Sequence, residues 1–147
     1  MIGYLGRVAA ALLLVAVRAP VAGAVPLLSI DADPATPGIQ SSHTVAVGAL
    51  VGVDLVVSGI DAGSPLQAFE LDLAFDASRL SALTATPGDF LLPVLFVGRN
   101  EIGPSSIGLT VASLGGGAAG GGVIAHLQFQ VTAGGAAFLA LQNVLLS

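Results

Sequence analysis

Between Phe69 and Phe75 every second residue is large and apolar: Phe69, Leu71, Leu73 and Phe75 alternate with Glu70, Asp72 and Ala74. A two-residue period sends successive side chains to opposite faces of an extended chain, so this stretch buries one face only as a β-strand. The same period recurs in Val51, Val53, Leu55 and Val57, set against Gly52, Asp54, Val56 and Ser58. It returns in Val123, Ala125, Leu127, Phe129 and Val131. Beyond the first 24 residues no long helical period shows, and Gly and Pro recur at short intervals. That pattern specifies an all-β sandwich or barrel.

The punctuation predicts eight or nine strands. Pro26 to Asp31 is a first strand, and Asp33 to Gly38 ("DPATPG") is a loop. Val45 to Gly59 holds one or two strands, and Asp61 to Pro65 is a loop. The strand from Phe69 follows, then a short one over Leu80 to Ala85, ended by Pro87 and Gly88. Asp89 to Gly98 is apolar but cut by Pro93, which suits an edge or bent strand. Ser105 to Leu114, Val123 to Val131 and Ala136 to Ser147 complete the set, with the flexible "GGGAAGGG" of Gly115 to Gly122 between the first two of these.

The chain has 147 residues, enough for one domain. Its first part reads as a secretory signal peptide over residues 1–24. Arg7 is basic, Val8 to Val17 is an apolar run, and Ala22-Gly23-Ala24 is a small-x-small cleavage pattern. Arg18 and Pro20 interrupt the run short of the roughly 20 apolar residues of a membrane span. The expected mature domain, 25–147, is therefore secreted, extracellular or at the cell surface, without a membrane span. It holds two arginines, Arg79 and Arg99, against all nine acids, a formal net charge of −7. Nucleic acid is excluded as a partner, because binding phosphate needs clustered Lys or Arg. Cys is absent, which removes thiolate catalysis and cysteine-ligated zinc. With 54% apolar residues the domain has a core without disulfides.

Glu70 and Asp72 fall on the polar face of their strand, about 7 Å apart. Glycosidases use paired carboxylates, but one of the two needs a pocket that raises its pKa. An open strand face offers no such burial, so no catalytic residue is assigned and the chain is read as a non-enzyme. Asp76, at the head of "DASRL", caps the turn that follows, as an Asx turn does. No "DxDxDG" loop occurs, so calcium is at most weak, at "DADP" (Asp31 to Pro34). The Gly-rich segment lacks the Lys-Ser/Thr of a phosphate loop. His43 and His126 stand alone in sequence, with His126 expected on the surface, and no cofactor is assigned. Sugar-binding platforms use Trp and Tyr; there is no Trp, and the one Tyr is Tyr4. Phe69, Phe75 and Phe129 point to the core, leaving Phe90, Phe96 and Phe138.

Three landmarks fall in one order: Val47 to Gly59 with its V-x-V-D-x-x-V-S-G pattern, "FELDLAFDASRL", and the Gly-rich turn into "GVIAHLQFQV", with "LQNVLLS" at the end. In this the chain resembles cohesin domains, and more closely the cohesin-like domains of exported bacterial proteins, many of which carry a C-terminal Pro-Glu-Pro sorting tail. No Pro-Glu-Pro motif occurs in this sequence. The resemblance implies a jelly-roll β-sandwich of nine strands, in a superfamily shared with some carbohydrate-binding modules. It implies a binding or scaffold domain whose partner is a dockerin-like protein, docked on one sheet face. Glu70 and Asp72 lie in the partner-binding region so implied. A polysaccharide partner, or a passive structural role in a surface or matrix protein, is the alternative.

Overall fold

A computed structural model describes residues 25–147 apart from Val94. The expected leader, 1–24, lies outside the described residues. Eight strands form: β1 (Leu27–Asp31), β2 (Leu50–Ile60), β3 (Ala68–Phe75), β4 (Leu80–Pro87), β5 (Leu95–Ile102), β6 (Ser106–Ser113), β7 (Gly120–Val131) and β8 (Leu139–Leu146). They make two four-stranded sheets, β1-β2-β7-β4 and β5-β6-β3-β8, with every pairing antiparallel. This is the expected all-β jelly-roll sandwich.

The alternating positions do what their period requires. Phe69, Leu71, Leu73 and Phe75 are buried, and so are Val53, Leu55 and Val57 of the opposite sheet. Phe75 and Phe129, one from each sheet, meet edge to face with centroids 5.4 Å apart and planes at 68°. That geometry sets the positive edge of one ring against the negative face of the other. Along one side the sheets are joined directly: Asn100 Nδ2 on edge strand β5 donates to the carbonyl of Ala85 on edge strand β4 at 2.7 Å.

Three local expectations need correction. Ile124, not Val123, is buried beside Ala125. The register slips between Leu55 and Val56, which face Ala125 and Val123, so Ile124 is the extra residue of a β-bulge and the alternation restarts there. The strand expected over Asp89 to Gly98 begins only at Leu95 and runs to Ile102, because Asp89–Leu91 closes into a short 3-10 turn. It does lie at a sheet edge, as Pro93 in the run before it suggested. The strand begun at Leu80 runs past Ala85 to Pro87, where the proline stands on an edge strand.

Candidate functional site

Strand β3 lies inside its sheet, between β6 and β8. Its outward residues therefore sit in the middle of a broad face. In register across that face, Arg99, Thr110, Glu70 and Leu145 form one row, and Glu101, Gly108, Asp72 and Gln142 the next. Phe96 and Ala112 stand in the row beyond Arg99 and Thr110. Glu70 and Asp72 thus share one open face, as the period predicted.

Their surroundings differ. Glu70 is exposed and has no ion-pair partner among the described residues. Asp72 is half-buried and held from both sides. Arg99 Nη2 donates to Asp72 Oδ1 at 2.6 Å and to the carbonyl of Leu71 at 3.1 Å. Asn143 Nδ2 donates to Asp72 Oδ2 at 2.7 Å. Asn143 sits at the irregularity where β8 breaks register with β3, with a left-handed φ of 48°. Asn tolerates that conformation better than most residues, and its side chain returns over the sheet. The clamp spans the sheet from β5 to β8.

The Asn143 hydrogen bond first, and then the Arg99 hydrogen bond and charge, hold the Asp72 carboxyl below its ordinary pKa against the opposing effect of burial. A glycosidase acid needs the reverse shift. Asp72 is therefore shifted in the direction opposite to that of a glycosidase acid. Arg99 Nε is buried and has no hydrogen-bond partner, so the clamp holds the guanidinium by its far end only.

Asp76 caps its turn as expected. Its Oδ1 accepts from Ser78 N at 3.0 Å and from Ser78 Oγ, its Oδ2 accepts from Arg79 Nη1 at 3.0 Å, and its carbonyl accepts from the amides of Arg79 and Leu80. The two carboxylates of "DADP" also serve their own loop. Asp31 Oδ1 accepts from the amides of Asp33 and Gln40, and Asp33 Oδ2 accepts from Thr36 Oγ1 at 2.6 Å. Among the described residues no three His, Asp or Glu side chains are grouped to hold a metal ion.

Two contacts had no local signal. His126 is exposed, as expected, but its Nδ1 lies 2.7 Å from Asp54 Oδ1, and His43 Nδ1 lies 3.9 Å from Asp33 Oδ1. Both histidines line one hollow of about 560 Å³ on the outer face of β1-β2-β7-β4, with Thr84, Thr86 and Gln128. A second hollow of about 640 Å³, at one end of the sandwich, is floored by Val51, Phe129, Val131 and Leu139. Neither includes Glu70 or Asp72.

No known protein family matches the sequence, and no curated protein does. Solved structures do. The chain is similar to the cohesin module of a family 33 glycoside hydrolase from Clostridium perfringens, with a TM-score of 0.66 at 18% identity over 84% of this chain and 83% of that one. It is similar to the cohesin of a type I cohesin–dockerin complex from Clostridium thermocellum, with a TM-score of 0.62 at 15% identity over 82% and 81%. It is also similar to a non-cellulosomal cohesin from the archaeon Archaeoglobus fulgidus, with a TM-score of 0.59 at 17% identity over 81% and 76%. At such identities the likeness speaks for architecture: the chain is folded as cohesin modules are.

Proposed function

We propose that this chain is an exported, non-catalytic domain that docks a protein partner on the outer face of β5-β6-β3-β8. The observation that carries the reading is the make-up of that face. At its polar centre Asp72 is held by Arg99 and Asn143, while Phe96 and Leu145 stand 58% and 61% exposed beside it. Exposed large apolar side chains next to ordered polar groups are the mixture that a docking surface offers. The fold supports the reading, since a cohesin of the same architecture was solved in complex with a dockerin. Export rests on the leader pattern of residues 1–24, and no helix among the described residues is long and apolar enough to cross a membrane.

The experiment is a pull-down. Residues 25–147 are immobilised, and the exported proteins of the source organism are passed over them in calcium and then in EDTA. The expected result is one protein retained in calcium and released by EDTA, since the cohesin resemblance implies a partner that needs calcium to fold. Retention of no protein removes the docking reading. It also moves a polysaccharide ligand to the front, for which the polar hollow beside His43 and His126 is the place to look.

A further inference from the structure

The charges of the docking face are not all available to a partner. Both arginines of the described chain are already engaged, Arg79 with Asp76 and Arg99 with Asp72. The Arg99 guanidinium reaches Asp72 by passing over Gly108, where an added Cβ would lie 2.7 Å from its Cζ. The clamp thus neutralises the middle of the face. Two exposed carboxylates remain, Glu70 on β3 and Glu101 on β5, and neither has an ion-pair partner among the described residues. They stand two strands and one outward position apart, which at ordinary strand spacing is about 12 Å. Between them β6 presents only Gly108 and Thr110, and the side chain that crosses there, that of Arg99, is drawn down over Gly108 by Asp72.

From this we infer that the partner is a basic protein surface carrying two cationic side chains about 12 Å apart, one for Glu70 and one for Glu101, with an apolar contact on Phe96 or Leu145. The inference rests on the docking reading and adds the chemistry of the partner. Charge complementarity is its ground: among the described residues seven of the nine acids have no Lys or Arg partner, so residues 25–147 attract cations, and these two lie beside exposed apolar side chains on one face. An acidic or neutral partner would leave both carboxylates desolvated and unpaired, which is unfavourable.

The absence of lysine makes the test clean. A carbodiimide joins carboxylates to amines, and no lysine in this chain competes. The probe is an alanine-based helical peptide with two lysines about eight residues apart, which spans about 12 Å, and one leucine a turn beyond the lysine meant for Glu70, to reach Leu145. The control keeps both lysines but sets them side by side, so its amines react alike and only the spacing differs. The expected result is cross-linking of the lysine peptide at Glu70 and Glu101, located by mass spectrometry. Peptide affinity, read by fluorescence anisotropy, should fall about fivefold or more in the Glu70→Lys/Glu101→Lys variant and fall with added salt. Equal cross-linking at Asp33, Asp54, Asp61 and Asp89, no cross-linking, or an affinity unchanged in the variant would each overturn the inference. The same variant in the pull-down keeps the two ideas apart. A partner retained equally by both proteins leaves docking standing and removes the basic partner. Retention by neither removes docking itself.

Discussion

Arg99 reaches Asp72 only because residue 108 has no side chain. A Cβ on Gly108 would fall 2.7 Å from Cζ and 2.9 Å from Nε and Nη1 of Arg99. Real Cβ contacts are not that short, so Gly108→Ala must shift the guanidinium, the far end of a flexible side chain, from its place over residue 108. The expected cost is at most about 1 kcal/mol, the worth of a partly exposed ion pair that the shift weakens. Urea unfolding measures it. Arg99→Ala should then cost less in the Gly108→Ala background than in the parent, because the contact is already weakened.

Asn100 ties the two sheets at their β4–β5 side through its 2.7 Å bond to the carbonyl of Ala85. Asn100→Ala should lower stability by about 1 kcal/mol. Asn100→Asp should cost more, because an ionised carboxylate would face that carbonyl oxygen. Thermal unfolding at neutral pH separates the two, and the gap should narrow as the new carboxyl is protonated in acid.

The interior depends on large aromatic volume shared between the sheets. Phe129 is 1% exposed and meets Phe75 edge to face. Phe129→Ala should cost about 3–5 kcal/mol, and Phe129→Leu distinctly less, since Leu refills most of the space. Denaturant midpoints at unchanged m-value check the order.

Particular residues show how far the sequence carried the fold. Phe69 to Phe75 were legible because strand burial follows a two-residue period, which is local information. Ile124 was not, because its burial depends on a bulge set by pairing with β2. The 3-10 turn over Asp89–Leu91 likewise lay hidden in an apolar run that reads as strand. The shared face of Glu70 and Asp72 was also local, and it was read correctly. Their difference was not, since Asp72 is clamped by residues 27 and 71 positions away. One signal was available: in a domain with two arginines, each standing in or beside a strand, an arginine needs a carboxylate. The pairing of His126 with Asp54, 72 positions apart, carried no such signal.

The clamp should also make stability depend on pH in a defined direction. Asp72 and Asp76 both have folded pKa values lowered from the ordinary value, Asp72 first by Asn143 and Asp76 first by Ser78. A carboxyl whose folded pKa is depressed binds its proton more readily in the unfolded chain. Its contribution to stability is therefore fully present above the unfolded pKa, near pH 4, and is lost as pH falls through the lower folded value. Asn143→Gly keeps the left-handed backbone at residue 143 accessible but removes the Asn143 hydrogen bond. Asp72 should then titrate at higher pH, and stability should fall less steeply below pH 4 than in the parent. Following the Asp72 carboxyl carbon by NMR against pH, together with urea midpoints between about pH 2 and 6, tests both statements. If the Asp72 titration does not move in Asn143→Gly, Arg99 alone sets its charge, and the bond from β8 has no part in holding the centre of the face.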